Sequence, residues 1–181
     1  MKQLSYFYER PFIKNNMDVS FEQFGRLVGA SAFRRISEKL YAEGDRVYKE
    51  SGIDFKTVWS PVYHALACAE DKLTINDIAL QVGFTHITVK NVLKELKERE
   101  LVHVVINPDD GRSKLVGLSD KGITLLEELK PVWKEYSKAL DSIYNNKHLE
   151  VMELFDSIEL EIDKMPIIDR MRISSDKNKE R

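Results

Sequence analysis

The chain has 181 residues, of which 43% are hydrophobic and 32% charged, a composition of folded globular proteins rather than of disordered, fibrous or membrane-embedded chains. That length holds one domain with a full apolar core, or a small module flanked by helices, and excludes two large catalytic domains. The formal charge of −2, from 28 basic and 30 acidic side chains, argues as a total against a polyanionic partner, but the acids are unevenly placed: residues 119–165 carry 11 acids against 6 bases, and 72–118 carry 6 against 7. No run approaches the ~20 apolar residues of a bilayer span, so no membrane partner is expected. The opening MKQLSYFYERPFIKNN lacks the apolar core and small-residue cleavage site of a secretory signal. The single cysteine, Cys68, closes no intrachain disulfide, which with the missing signal points to a cytoplasmic protein.

In chain order, Ser20 with Gln23 forms a capping-box pattern, and Phe24, Leu27, Val28, Ile36 and Leu40 continue it at helical spacing until Gly44 or Gly52. Ser60-Pro61 starts a short helix through Val62, Leu66 and Ala69, with Ser60 as the cap. Thr74 starts the next, which carries Ile75, Ile78, Ala79 and Val82 and stops at Gly83. Thr85 starts a third, with Val89, Val92, Leu93 and Leu96 inward. After Leu101 the period becomes extended. The β-branched run to Ile106 ends in the turn formers Asn107-Pro108-Asp109-Asp110-Gly111, and Ser113–Leu118 returns, so the two segments predict a hairpin. From Ser119 a long apolar-striped helix runs to Tyr144, with Pro131 expected to kink or break it. Asn145-Asn146 is a turn, and Leu149, Met152, Phe155, Ile158 and Ile162 line a last amphipathic helix. Residues 166–181 are expected to form a flexible tail.

Helix, glycine turn, helix and polar-tipped hairpin between Thr74 and Leu118 predict a winged helix-turn-helix: a mostly α fold with a small two-stranded β wing. In this reading Ala79 is small where the helices cross, and at Gly83 a β-carbon would obstruct the turn. The second helix is then a rod of roughly 10–12 Å that fits the major groove of double-stranded DNA. Its outward residues suit that role. Thr85, His86, Thr88, Lys90, Asn91 and Lys94 are polar, and no carboxylate appears before Glu95. Asn can contact adenine through two hydrogen bonds, Lys90 can reach guanine or phosphate, and Thr85 can donate to a phosphate beside free amides. Ile87 is apolar in this polar stretch and either meets a thymine methyl or packs on the neighbouring helix. On the wing, Arg112 has the reach for a minor groove, with Lys114 beyond it. Asp110 would be repelled by phosphate, and either orients Arg112 through a charged pair or ends the turn.

From Leu73 to Gly122 the sequence, including IALQVGFTHITVKNVLKELKERELV and NPDDGRSKLVGLSDKG, resembles the MarR (multiple-antibiotic-resistance regulator) family of bacterial transcription factors. The family's wing signature, Asp-x-Arg and a small residue, is matched by Asp110, Arg112 and Ser113. Its following Leu-[Ser/Thr]-x-x-Gly is matched by Leu118, Ser119 and Gly122. Asn91 stands where many members carry Arg, and Gly111 where a second basic wing residue is common. The resemblance implies a homodimer joined through the first helix and the last two. It divides the chain into an N-terminal dimerisation helix and connector (20–58), the DNA-binding module (59–118), C-terminal dimerisation helices (119–165) and the tail. The apolar stripes supply the material independently, with Phe21, Phe24 and Leu27 at one end and Leu149 to Ile162 at the other.

The family also implies a pocket for a small aromatic effector between the dimerisation helices and the DNA-binding lobe. Trp59, Tyr63, His64 and Trp133 are the candidates for its wall, with ordinary core as the alternative for each. His64 and Cys68, four apart on one helical face, have the spacing of two metal ligands, but no third lies near in sequence, so no metal or other cofactor is expected. No nucleophile elbow, P-loop or dinucleotide fingerprint occurs, and the expectation is not an enzyme. The sequence thus predicts a ligand-responsive repressor of transcription that binds a pseudo-palindromic operator as a homodimer. The alternative is a winged helix that contacts only proteins.

Overall fold

The computed structural model describes residues 29–108 and 110–179, with side chains described as far as residue 173. The expected cap at Ser20 with Gln23, and the apolar positions Phe21, Phe24, Leu27 and Val28, lie outside the described residues. Helix α1 spans Gly29–Glu50 and ends where Gly52 turns the chain at φ 72°. Gly44 does not end it. This glycine is buried within the helix, where an added Cβ would stand 2.3 Å from Thr57 Oγ1 and 2.9 Å from the Tyr136 hydroxyl.

A 3-10 turn at Thr57–Trp59 leads into α2 at Ser60–Cys68. Ser60 is the first helical residue rather than the cap, and its hydroxyl is within 2.8 Å of the Tyr48 hydroxyl. The two-residue strand β1, Leu73–Thr74, precedes α3 at Ile75–Val82. Thr74 and Asp77 close a capping box on α3: the threonine hydroxyl oxygen accepts from the Asp77 amide, and the carboxylate accepts from the Thr74 amide. Gly83 ends α3 at φ 67°, and an added Cβ there would meet nothing within 4 Å. The glycine is thus needed for its left-handed backbone, and the expected steric obstruction is absent.

Helix α4, His86–Glu98, begins at the Thr85 cap, whose hydroxyl oxygen accepts from the Thr88 amide. It ends as Glu100 adopts φ 62°. Strands β2 (Val102–Ile106) and β3 (Lys114–Leu118) form the expected hairpin, with Val104 opposite Val116. The sheet has three strands rather than two. β1 pairs antiparallel with β3, placing Leu73 opposite Val116, and the order is β1-β3-β2. This pairing ties the start of the helix-turn-helix to the root of the wing.

Helix α5, Asp120–Ile143, is capped by Ser119 and runs through Pro131, so the expected break does not occur. Proline costs one amide donor there, and the helix is held on both sides of it by core packing of Leu129, Val132 and Trp133. Asn145 and Asn146 both take left-handed backbone, as the turn requires, and α6 follows at His148–Lys164. The expected tail contains a helix, α7, at Ile167–Lys179. Pro166 stands just before it and Asp169 in its first turn, both favourable at a helix start. Among the described residues no helix is long and apolar enough to cross a membrane.

The core lies where α2, α3 and α4 meet the sheet and the first half of α5. Trp59, Val62, Tyr63, Ile78, Val89, Leu96, Val116 and Leu129 are its most enclosed side chains. The arrangement leaves α4 with one buried face, at Val89, Val92, Leu93 and Leu96, and one face in solvent.

Candidate nucleic-acid interface

Thr85 fixes the first turn of α4 through its backbone cap and lies within 2.8 Å of the Thr88 hydroxyl. The amides of His86 and Ile87 lie in the first turn, where no helical carbonyl stands four residues before them, so the helix start offers donors and the positive end of its dipole. Thr85, His86, Lys90, Asn91 and Lys94 are all exposed, and Thr88 is half-buried. Ile87 is 72% exposed, which removes packing on the neighbouring helix as its explanation. Lys94 approaches Glu98 at 4.0 Å, a contact between two exposed side chains that competes weakly with a phosphate.

The back of α4 is anchored by residues to which the sequence assigned no such role. The Glu95 carboxylate accepts from Lys56 Nζ at 2.6 Å and from the indole Nε1 of Trp59 at 3.2 Å. The bond from Lys56 is the main influence that lowers the Glu95 pKa below its ordinary value, against the opposing effect of burial. The Arg99 guanidinium lies 4.6 Å from the centre of the Trp59 ring, and its Nε is 3.4 Å from Asp54. The connector between α1 and α2 therefore fixes the rotation of α4, and with it the direction of Lys90 and Asn91.

In the wing, Asp110 Oδ1 accepts from the backbone amide of Arg112 at 3.0 Å, while its carbonyl accepts from the Ser113 amide at 2.9 Å. The carboxylate thus shapes the turn; among the described residues the Arg112 guanidinium has no acidic partner. Asn107 closes the base of the loop by donating to Ser113 Oγ. Arg112 and Lys114 are both exposed. At the wing root, Ser119 donates its hydroxyl to the Glu100 carbonyl and its amide to the Leu101 carbonyl.

The four residues expected to wall a pocket stand in different settings. Trp59 and Tyr63 are fully buried. They belong to an edge-packed aromatic group around Phe55, whose ring centre is 5.4 Å from Trp59 and 5.2 Å from Tyr63. The Tyr63 hydroxyl donates to the Gly122 carbonyl at 2.6 Å, and burial raises its pKa to about 12, so it remains a neutral donor. Trp133 is half-buried and donates to the Tyr48 hydroxyl at 2.9 Å. His64 lines an open depression of about 340 Å³ together with Pro61, Ala65, Cys68, Gln81 and Val82. A second groove of about 450 Å³ lies between α1 and α5, lined by Val47, Ser51, Pro131, Val132, Glu135, Tyr136 and Ala139. Cys68 Sγ is 3.7 Å from His64 Nδ1, and among the described residues no three His, Cys, Asp or Glu side chains group as a metal site.

No protein-family model and no curated protein matches the sequence. Solved structures do match the fold. MepR of S. aureus, in its complex with DNA, shares 26% identity at a TM-score of 0.61, the match covering 71% of this chain and 96% of that one. A MarR/EmrR family transcriptional regulator from Acinetobacter matches at TM-score 0.64 with 17% identity, over 81% of this chain and 100% of that one. The PcaV transcriptional regulator of Streptomyces coelicolor, in complex with its natural ligand, matches at 0.61 with 21% identity, over 82% and 98%. The last two show a shared fold.

Proposed function

We propose that this chain, a winged-helix protein of the MarR family, is a sequence-specific DNA-binding regulator of transcription that engages a pseudo-palindromic operator as a homodimer. The observation that carries this reading is the solvent face of α4. Lys90, Asn91 and Lys94 are exposed there, Lys94 reaching Glu98 only at 4.0 Å, on a helix whose rear is fixed by Glu95 and Trp59. The likeness to MepR, solved on DNA, supports it.

A dimer supplies what one protomer lacks. Phe33 and Ile36 on α1, Leu149, Leu154 and Leu160 on α6, and Ile167 and Met171 on α7 are exposed, an apolar surface that a second copy would cover. Two-fold symmetry then presents two α4 helices to half-sites about 34 Å apart, one DNA turn. The reading includes repression relieved by a small aromatic effector, entering at the depression beside His64, whose ring lies 5.9 Å from Trp133. Filling that site would change the spacing of the two lobes so that only one half-site is engaged. The reading includes no catalysis and no cofactor.

Titration of the protein onto duplex DNA at increasing salt tests the reading. Six neutralised phosphates would lower affinity about a thousandfold between roughly 50 and 200 mM salt. A winged helix that contacts only proteins would show no such dependence.

A further inference from the structure

The proposed DNA face contains one side chain that neither the fold nor phosphate binding explains. Helix α4 buries Val89, Val92, Leu93 and Leu96, and the core is complete without Ile87. Ile87 is 72% exposed, in the first turn, between the cap at Thr85 and the exposed Lys90 and Asn91. A β-branched aliphatic residue gives little helix propensity and makes no hydrogen bond to a phosphate. Placed in solvent beside two exposed polar side chains, it has one chemical complement in the major groove, the 5-methyl group of thymine.

We propose that Ile87 is a specificity-determining residue that selects thymine in each half-site by packing on its methyl group. The inference rests on the DNA-binding reading above and assigns part of the sequence read. Ile87 and Asn91 are four residues apart, so they share a helix face and are separated by about 6 Å along its axis. With base pairs rising by about 3.4 Å, the two residues address base pairs one or two steps apart. Asn91 has the geometry for adenine, so the half-site has a thymine read by Ile87 and, one or two pairs away, an adenine read by Asn91. The open amides at the start of α4 and the Arg112 wing hold the flanking backbone and leave the base choice to these side chains.

The test uses the full-length protein and a duplex enriched from a random-sequence library, with each thymine of the half-site replaced singly by deoxyuridine. That replacement removes one methyl and leaves every hydrogen-bonding edge intact. At one thymine per half-site the wild-type protein should bind about fourfold more weakly, the value of one buried carbon. In Ile87→Ala the overall affinity falls, and the thymine-to-uracil ratio at that position drops to about one while ratios elsewhere are unchanged. Because Ile87 is outside the core, Ile87→Ala should melt with the wild type, which separates lost contact from lost fold. Equal binding of all uracil-substituted duplexes by the wild type, or an unaltered ratio in Ile87→Ala, would overturn the assignment while leaving DNA binding in place. Failure to enrich any duplex would remove the DNA-binding reading and this inference with it.

Discussion

Gly122→Ala is the substitution for which the structure gives the firmest magnitude. Gly122 lies in the first turn of α5, directly against the end of the loop that follows α4. An added Cβ would stand 2.1 Å from the Leu101 carbonyl oxygen and 3.4 Å from the Tyr63 hydroxyl. Ordinary contact begins at 3.4 Å, so the two backbone segments must part by 3.4 less 2.1, or about 1.3 Å. Three bonds cross this junction: the Ser119 amide to the Leu101 carbonyl, the Ser119 hydroxyl to Glu100, and the Tyr63 hydroxyl to Gly122. Overpacking of this kind costs about 1–3 kcal/mol, and a buried polar group left without its partner about the same. The greater helix propensity of alanine returns up to about 1 kcal/mol. The net expectation is a loss of about 2–4 kcal/mol, equivalent to a melting-point drop of roughly 5–15 °C for a chain of this size. Urea unfolding followed by fluorescence of Trp59 and Trp133 measures it, with protein concentration held fixed because dimerisation contributes to stability. Tyr63→Phe, which removes only the donor, should lose about 1–2 kcal/mol. Gly122→Ala within about 0.5 kcal/mol of the wild type would refute the claim that this contact sets how α5 is seated on the winged helix.

Other variants test the interface and its support. Arg112→Ala should weaken DNA binding and reduce the salt slope by about one phosphate, with the dimer intact by sedimentation. Unchanged affinity would remove the wing from the mechanism. Lys90→Ala should weaken all sequences alike, whereas Asn91→Ala should relax preference at one base pair, at a cost of about 1–3 kcal/mol there; competition with single-base operator variants separates the two. Asp77 and Glu95 have folded-state pKa values below their ordinary 3.8 and 4.5, owing first to the Thr74 and Lys56 side-chain bonds. Depressed carboxylate values stabilise the fold above the ordinary pKa and lose that stabilisation as pH falls through the folded value. Stability should therefore decline as the solution is acidified below about pH 4.5, and the double variant Asp77→Asn, Glu95→Gln should flatten that decline in urea titrations. An equally steep decline would place the acid sensitivity elsewhere.

The helix starts were legible where one residue does the work locally. Thr74, Thr85 and Ser119 each precede a helix and each accept a backbone amide through the side chain. Gly83 was read correctly as a stop for an incomplete reason, because spacing alone does not distinguish a steric need from a left-handed φ. Strand β1 was invisible, since two residues carry no period and its pairing is supplied wholly by β3. Gly44 interrupted the stripe of α1 in sequence, yet in space it lets Thr57 and Tyr136 approach the helix. Trp59 and Tyr63 fit a ligand wall or a core in the sequence alone; in the fold both side chains are buried and their polar atoms are taken by Glu95 and Gly122. Glu95 closed the polar run of α4 in the sequence, and its role became visible only when folding brought Lys56 and Trp59 to it across more than 30 residues. The exposed face of α4 was readable because solvent, unlike a neighbouring side chain, leaves its mark in the helical period itself.

Selection of genomic DNA fragments by the purified full-length chain tests the central claim most directly. The account predicts enrichment of a pseudo-palindrome whose half-sites are centred about one helical turn apart, with retention that falls steeply as salt is raised. Recovery of fragments without a shared two-fold motif, or retention indifferent to salt, would contradict it.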